Sequence, residues 1–565
     1  MAITTVDPFT IEIIKNTLVA IGDEMFYALQ RTSKSTIIYE TLDFGVAITD
    51  AQGRLVAQGN GVPLFIGTLD AAVNAVRERF ATSGNLNPGD IVVTNDPYGG
   101  GGTHLSDVSL IMPIYHEGEL IAFVGNKAHW TEVGGKDPGS WTTDATEVYQ
   151  EGLQFPNIKL FNQGQPDQAL IDLIAANVRL PDMTLGDMWA GVAALRVGER
   201  RFLGLCEKYG RDTVLTAIES LLDHGETMAR QELAKLPNGT FEAEDWIDDD
   251  GIGNGPFPVR VRVTISDDEF VADFTGSHRQ VPGPINNTRT GLISGVRAVF
   301  KALTSPEVPA NGGSFRPVRT ICPDGTVFTA QRPAPVSTYW ETMLYATDLI
   351  WKALAPHVPN RLPAGHMLSV CGTVLAGLHP DNGELFLLVE PLVGGWGAGH
   401  DKDGESGQFC VGDGETYNIP IEITETRYGV TVDQYAFHNE DGGAGEFRGG
   451  KGVVLDYRVV GDELFLTGTF GRHKFMPWGL NGGQDGSPNS ISVIRKDGRV
   501  EGPFGKVARL RLAKGDVARL VTATGGGYGD PARRPAAKVA SDVRDGYITA
   551  EQARRFYGAR PRESQ

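Results

Sequence analysis

The segment GGGGTHLSDVSLIMPIYHEGELIAFVGNKAHW, residues 99–130, joins four glycines to two apolar, strand-like stretches. The short polar connection HEG at 116–118 separates the stretches and predicts a β-hairpin. Because this connection lies about midway, the hairpin would return His129 to the side of His104. Glycine loses more conformational freedom on folding than any other residue. Four glycines directly before His104 and Asp107 therefore indicate a site rather than a plain surface loop.

The residues that flank this segment predict helices and strands in the N-terminal half. Asp7 and Pro8 combine a helix N-cap with a proline suited to the first turn, and the apolar spacing after them predicts a helix to about Thr32. The runs FGVAITD and RLVAQG, joined by a turn at 51–53, predict a second hairpin. The chain from about 165 to 236 is mostly helical by the same criteria.

The character of the sequence changes at about residue 240. Short β-type runs then alternate with glycine- and proline-rich turns to about residue 530, and a basic, polar tail with a short helical signal follows. We therefore expect an α+β (mixed α/β) fold, with an N-terminal α/β half that carries a metal site and a larger, β-rich, Gly/Pro-rich C-terminal half. The predicted domains are 1–240, 241–532 and the tail 533–565.

Composition narrows the class of protein. The chain has 51 Lys and Arg against 70 Asp and Glu, a net charge of −19. This charge repels phosphate backbones and anionic lipid heads, so we expect neither nucleic acid nor a membrane as a partner. The four cysteines lie far apart, and the N-terminus lacks the basic and apolar regions of a secretion signal. We therefore expect a cytoplasmic protein.

Two histidines and an aspartate are candidate metal ligands. His104 and Asp107 lie where the glycine loop enters one predicted strand, and His129 ends the next strand. Asp43, with Glu40 just before it, opens the early strand FGVAITD and offers one further carboxylate. Such a mixed set of nitrogen and oxygen ligands suits Zn, Mn, Fe or Co rather than Mg or Ca. The alternative is structural: Asp107 caps a turn and both histidines are hydrogen-bonded core side chains.

The glycine-rich motifs of the C-terminal half do not predict a nucleotide site. GEFRGGKG, residues 445–452, approaches the phosphate-binding pattern GxxxxGK(S/T), but Gly452 replaces the hydroxyl residue and a strand-like run follows in place of a helix. TGGGYGDP, residues 524–531, also lacks the strand–loop–helix context. The chain has no GxSxG motif and no cysteine with a nearby histidine, so no covalent nucleophile is predicted either.

Eight blocks follow one another from about residue 7 to residue 557: IYETLDFGVAITD, GDIVVTNDPYGGGGTHLSDVSLIMPI, GNKAHWTEVGGKDPGS, ADFTGSHRQVPGPINN, GGWGAGHDKDG, GRHKFMPWGLNGG, GGGYGDP and DVRDGYITAEQA. Together they resemble the hydantoinase B/oxoprolinase family, the β-type subunits of ATP-dependent hydantoin, lactam and 5-oxoproline hydrolases. The resemblance implies a metal held by an early-strand carboxylate, the HxxD pair and a later histidine. In this sequence these are Asp43 (or Glu40), His104, Asp107 and His129.

The resemblance also implies a mechanism that needs two subunits. A hydantoinase A-type ATP-binding partner, using ATP and Mg, phosphorylates the enol or imidate oxygen of a cyclic amide. The present subunit then hydrolyses this intermediate with a metal-activated water, which opens the ring of a hydantoin, 5-oxoproline or lactam. The implied assembly is a heterodimer or heterotetramer.

Three residues are candidates for catalysis, Asp107, His129 and Glu132. Glu132 lies three residues beyond His129 and is a candidate proton shuttle, or a residue that orients a metal ligand. The alternative for Glu132 is a solvated carboxylate at the end of a strand.

Two other functions stay open from the sequence. One is the related subunit of a biotin-independent, ATP-dependent ketone carboxylase of the acetone or acetophenone type, which resembles the same family and captures an enol with CO₂. The other is a non-catalytic scaffold whose glycine-rich β half binds a partner.

Overall fold

The computed structural model describes residues 6–558, without the side chain of Ile66. The first five residues of the predicted N-terminal segment and residues 559–565 of the predicted tail lie outside the described residues. The helices of the described chain are α1 Pro8–Thr32, α2 Thr36–Tyr39, α3 Pro63–Val76, α4 Gln168–Asn177, α5 Pro181–Tyr209, α6 Arg211–Leu233, α7 Arg289–Thr304, α8 Trp340–Leu354, α9 Ile421–Arg427, α10 Ala536–Arg544 and α11 Ala550–Tyr557.

The strands of the described chain are β1 Phe44–Asp50, β2 Leu55–Gly61, β3 Ile91–Thr94, β4 Asp107–His116, β5 Glu119–His129, β6 Ile158–Asn162, β7 Gln165–Pro166, β8 Gly239–Ile247, β9 Phe257–Ile265, β10 Phe270–Asp273, β11 Val318–Ile321, β12 Gly372–Leu378, β13 Leu385–Glu390, β14 Val430–Phe437, β15 Val453–Val459, β16 Glu463–Thr469, β17 Ser490–Ile494, β18 Val500–Phe504, β19 Lys506–Ala513 and β20 Val517–Val521. The predicted mixed α/β fold is confirmed.

The described chain forms two compact units, and their boundaries differ from the predicted domains. The first unit combines the chain up to 240 with 262–346 and 412–419, and the remaining residues form the second. Segment 262–346 belongs to the first unit because its helix α7 packs on α3: the Ser294 hydroxyl donates to the Leu64 carbonyl at 2.8 Å. The described part of the predicted tail, residues 533–558, belongs to the second unit, where the Gln552 amide donates to the Asp441 carboxylate at 2.9 Å.

A seven-stranded sheet is the centre of the first unit. Its order is β2-β1-β5-β4-β3-β6-β7, and every neighbouring pair in it is antiparallel. All residues of β1 are buried, as expected for a strand covered on both faces. The helix predicted to end at Thr32 is α1, and the Asp7 carboxylate caps it by accepting from the backbone N–H groups of Phe9 and Thr10.

The β4–β5 hairpin confirms the prediction from residues 99–130. Asp107 pairs with His129 at the open end of the hairpin, and His116 pairs with Glu119 next to the turn. The turn residues Glu117 and Gly118 have φ angles of 51° and 84°, the left-handed pair of a tight hairpin turn. Asp107 and His129, at the two ends of the hairpin, therefore lie side by side.

The C-terminal half contains three helices, α7, α8 and α9, that the sequence analysis does not predict. Every residue of α8 except Lys352 is buried, including the polar residues Glu341, Thr342, Thr347 and Asp348, so this helix lacks the solvent-exposed polar face of a surface helix. Helix α7 contains two glycines, which lower helix propensity. Burial in the core stabilises both helices, and in α7 it outweighs the low helix propensity of the glycines.

The other three sheets have four, four and five strands. Their orders are β11-β10-β9-β8, β13-β12-β16-β19 and β14-β15-β20-β17-β18, and the last two lie within the second unit. Strand β15 starts at Val453, directly after Gly452, so a strand follows GEFRGGKG as the sequence indicates. Within residues 6–558, no helix is both long and apolar enough to cross a membrane.

Candidate metal centre

Three neighbouring strands of the large sheet bring candidate ligands to one end. Asp107 is the first residue of β4 and pairs with His129, the last residue of β5. Asp43 precedes β1, which pairs with β5 on its other side. The Asp43 carbonyl accepts a hydrogen bond from the His129 backbone N–H at 3.1 Å. Antiparallel pairing therefore converts a long separation in sequence into adjacency.

The ligand atoms of His104, Asp107 and His129 all lie within 4.8 Å of one another, and all three residues are buried. No other group of three or more His, Cys, Asp and Glu residues meets this criterion in the part of the chain that the structure describes. The three side chains predicted from the sequence as metal ligands therefore lie close together in the structure.

The tautomer of His104 follows from its hydrogen bond. Nδ1 of His104 lies 3.0 Å from the Ser337 carbonyl oxygen, and because a carbonyl only accepts, Nδ1 carries the hydrogen. Nε2 therefore points at the Oδ1 atom of Asp107, 3.0 Å away. Two lone pairs at this distance repel, so the arrangement needs a proton or a metal cation between the two atoms.

The remaining atoms of the cluster also fit a cation. Oδ2 of Asp107 accepts from the hydroxyls of Thr103 and Tyr339, whereas both ring nitrogens of His129 are buried and lack a hydrogen-bond partner. Burial raises the pKa of Asp107, but the neighbouring His104 outweighs it and lowers the value to about 2. Burial, together with His104, lowers the pKa of His129 to about 3. An ionised carboxylate and a neutral imidazole are the forms that bind metal.

Asp43 and Glu40 differ in their relation to this cluster. Burial and the nearby charges of Asp107 and Asp413 raise the pKa of Asp43 well above its usual value. Such mutually repelling carboxylates are the surroundings that a divalent cation stabilises. Glu40 follows α2 as its C-cap and is partly exposed. Neither residue belongs to the group of three converging ligands.

The glycine loop is held against the sheet by a buried lysine. The ammonium group of Lys127 is fully buried and donates to the Gly101 carbonyl at 3.0 Å. Burial lowers the pKa of Lys127 to about 8, although the Asp107 charge acts in the opposite direction. Gly101 has a φ of 73°, and a Cβ there would lie 2.3 Å from the Ala72 backbone nitrogen. The close approach of two backbones explains this glycine.

Glu132 is buried, so the solvated alternative for this residue is wrong. Its carboxylate accepts from the backbone N–H groups of Gly134 and Gly139 and from the Arg179 guanidinium, each at 2.8–2.9 Å. Burial raises the pKa of Glu132, and Arg179 partly offsets this. Glu132 does not belong to the group of converging ligands, and its oxygens hold a loop together. A role in proton transfer stays a prediction.

A segment far along the chain completes the surroundings of the cluster, and sequence reasoning missed it. Ser337 orients His104, Tyr339 bonds Asp107, and the ring centroid of Trp340 lies 5.3 Å from that of His104. The ring of Trp141 lies 6.4 Å from that of His129. The signal in the sequence is the run of Ser, Thr, Tyr and Trp at 337–340, at the start of an apolar stretch.

The profile of the family described as hydantoinase B/oxoprolinase matches residues 7–531. A putative D-/L-hydantoinase B-type chain of a Pseudomonas species (strain NS671) is 33% identical over 573 residues, covering 98% of this chain and 95% of the relative. The beta chain of the caprolactamase of Pseudomonas jessenii is 32% identical over 574 residues, covering 98% and 96%. This chain belongs to the hydantoinase B/oxoprolinase family.

Solved structures support the same conclusion for the fold. The crystal structure of the ATP-dependent caprolactamase from Pseudomonas jessenii superposes with a TM-score of 0.93 at 31% identity, covering 100% of this chain and 98% of that chain. A nucleotide-free acetone carboxylase superposes with a TM-score of 0.91 at 19% identity, covering 99% and 80%. The match to acetone carboxylase shows a shared fold, and it does not distinguish amide hydrolysis from ketone carboxylation.

Proposed function

We propose that this chain is the hydrolytic subunit of an ATP-dependent cyclic amide hydrolase that opens the ring of a hydantoin, 5-oxoproline or lactam. The observation that carries the proposal is the convergence of His104, Asp107 and His129 in a buried cluster. The two curated relatives, named as a hydantoinase subunit and a caprolactamase subunit, support the substrate class. The cytoplasmic location expected from the sequence stays a prediction.

The proposal includes a partner. Both relatives are named as one subunit of an enzyme, and the glycine-rich GEFRGGKG leads into strand β15 rather than a helix, so it lacks the phosphate-binding geometry. We therefore infer that a hydantoinase A-type partner binds ATP and Mg and phosphorylates the ring amide, in a heterodimer or heterotetramer. The carbon of an unstrained ring amide is a poor electrophile, and phosphorylation of the amide makes it a better one.

The residues of this chain would supply a divalent metal site of the Zn, Mn, Fe or Co class. His104, Asp107 and His129 would hold the ion, with Asp43 favoured over Glu40 as a further carboxylate because Asp43 lies beside Asp107 and His129. When bound, such an ion provides a Lewis acid and lowers the pKa of water in the site.

The other side chains of the centre position these groups and handle the proton. The Ser337 carbonyl keeps Nε2 of His104 free of hydrogen, and the hydroxyls of Thr103 and Tyr339 hold Asp107 in place. During ring opening the carbon of the phosphorylated amide gains the oxygen of one water, the C–N bond breaks and the nitrogen takes up a proton; a second water then cleaves the resulting acyl phosphate to a carboxylate and inorganic phosphate. Glu132, three residues beyond His129, stays the candidate for this proton transfer.

Co-expression with an ATPase partner tests the proposal. The metal-replete complex is expected to open the ring of hydantoin, 5-oxoproline or caprolactam in an ATP-coupled reaction, and His104→Ala is expected to abolish it. Absence of turnover across this panel would overturn the proposal. Bicarbonate-dependent consumption of acetone or acetophenone in the same assay would establish the carboxylase instead, and a metal-free, inactive wild type would favour the scaffold.

A further inference from the structure

A cavity of about 80 Å³ lies in the first unit, away from the metal centre. Helices α1, α6 and α7 and strand β2 contribute residues to its wall. One of these residues, Ala57 of β2, pairs with Ile48 of β1, which follows Asp43 by five positions. Five residues of a strand span about 17 Å, so the cavity is separate from the candidate metal ligands.

The wall of the cavity is mainly apolar, and its charged side chains are basic. Leu18 and Val56 are buried apolar residues of the wall. Among the described residues, the lining includes Lys15, His224 and Lys301 but no aspartate or glutamate. The whole chain has a net charge of −19, so the sign of the charge is reversed locally. An apolar space with basic groups favours an anion that also carries an apolar part.

Lys301 is a basic residue of the wall whose charge has no carboxylate partner in the part of the chain that the structure describes. Its ammonium group, in the last turn of α7, donates to the carbonyl oxygen of Ser305 and, at 2.7 Å, to the hydroxyl of Ser305. An ammonium has three N–H groups, so one of them is left to bind a ligand. Burial lowers the pKa of Lys301 to about 8. By contrast, Lys15 pairs with Glu12 at 2.7 Å.

Ser305 provides a second donor beside Lys301. Its hydroxyl oxygen accepts from Lys301, and its hydroxyl hydrogen has no acceptor within residues 6–558. Ser305 also lines the cavity, so an N–H donor and an O–H donor lie side by side at one part of the wall. The two oxygens of a carboxylate can accept from two such neighbouring donors.

We propose that this cavity binds a small organic carboxylate, whose oxygens accept from the Lys301 ammonium and the Ser305 hydroxyl and whose short tail lies against the apolar wall. The volume limits the tail to about two to four carbons, since a cavity of about 150 Å³ takes benzene. The inference goes beyond the proposed function and does not depend on it, because the cavity shares no residue with the group of three converging ligands.

Butyrate is the probe that tests the inference. It is titrated calorimetrically into the purified full-length chain, with butyrate replacing chloride so that the ionic strength stays constant. We expect saturable binding at one site, with acetate about tenfold weaker because it lacks two methylene groups. Butyramide has nearly the same shape without the charge and is expected to bind at least about tenfold more weakly than butyrate. Equal affinity for acetate and butyrate would indicate an ion attracted to the surface only and would overturn the inference.

Two lysine variants with the same change of charge locate the site. Lys301→Met removes the ammonium and keeps an unbranched side chain, so butyrate affinity is expected to fall at least about tenfold. Lys235→Met is the matched control, since Lys235 is exposed, pairs with Glu232 and lies outside the cavity. It should leave the affinity unchanged. Butyrate binding that is equal in wild type and Lys301→Met, or absent from wild type, would overturn the inference.

A second variant and a second measurement keep the test decisive. If Lys301→Met does not fold, Ser305→Ala removes the hydroxyl donor alone and is expected to lower butyrate affinity about three- to tenfold, whereas an unchanged affinity would overturn the inference. Butyrate is also expected to raise the Tm of wild type more than that of the variant, because it binds the folded chain. These measurements need no partner subunit, metal or turnover, so their outcome is independent of whether the complex opens a ring.

Discussion

The hydroxyl of Tyr339 donates to Oδ2 of Asp107 at 3.0 Å, although 232 positions of sequence separate the two residues. Loss of such a partner of a metal ligand costs about 10- to 100-fold in metal affinity. We therefore expect Tyr339→Phe to weaken metal binding by that factor, measured by competition with a chelator of known affinity. Tyr98→Phe is the matched control, since the Tyr98 hydroxyl donates to the Ala334 carbonyl and does not contact a candidate ligand. Equal losses of metal affinity in both variants would contradict the role of Tyr339 as the partner of a metal ligand.

The two histidines are expected to be required for metal binding. His104→Ala and His129→Ala each remove one of the three converging ligands, so the purified chain should lose most of its metal by elemental analysis. His400→Ala changes an exposed histidine of the second unit and should leave the metal content unchanged. A stoichiometric metal that persists in both of the first two variants would place the site elsewhere.

Two glycines of the loop are expected to respond differently to alanine. Gly101→Ala places a Cβ 2.3 Å from the Ala72 backbone nitrogen at a φ of 73°, whereas the nearest atom to a Cβ on Gly99 is 3.6 Å away. We expect Gly101→Ala to destabilise the chain by at least about 2 kcal/mol and Gly99→Ala to be nearly neutral. Denaturant unfolding measures both. Similar stability of the two variants would show that the loop does not need this close approach.

Glu151 makes the stability of the chain depend on pH. Burial raises the pKa of Glu151 from 4.5 to about 8, although the backbone N–H groups of Ser337 and Val336 favour its charged form. The folded chain therefore retains a proton that the unfolded chain releases between about pH 5 and pH 8. The free energy of unfolding therefore falls as pH rises through this window, by up to about 1.4 kcal/mol per pH unit.

Glu151→Gln is expected to remove this part of the pH dependence, because glutamine does not ionise and still offers an oxygen to the two N–H groups. Denaturant midpoints at pH 5, 6, 7 and 8 measure the effect. The exposed Glu147 provides a control, since Glu147→Gln should keep the slope of the wild type. Identical slopes for all three proteins would mean that Glu151 is ionised in the folded chain.

Glu132 allows a structural role to be separated from a catalytic one. Its pairing with Arg179 at 2.8 Å predicts that Glu132→Gln and Arg179→Gln destabilise the chain to a similar extent, by about 1–3 kcal/mol. Ring-opening rates measured well below both melting temperatures then decide the role. Rates that are equal in the two variants indicate a structural residue, and a much lower rate in Glu132→Gln alone indicates proton transfer.

Much of the fold around the site was predictable because its signals are local. The cap at Asp7, the turn at Glu117 and Gly118, and the strand periodicity up to His129 each depend on neighbours in sequence, and the structure confirms them. The placement of 262–346 in the first unit was not predictable. It depends on contacts such as Ser294 with Leu64, which join residues 230 positions apart.

The same distinction applies to the site. The amino-acid sequence by itself determined the hairpin that pairs Asp107 with His129, and it determined the family, since eight blocks occur in order along the chain. Only the tertiary structure decided that Ser337, Tyr339 and the two indoles surround these ligands. Hairpin pairing follows from alternation and turn chemistry within a short segment, whereas contacts between distant segments depend on how buried surfaces pack, which no local pattern encodes.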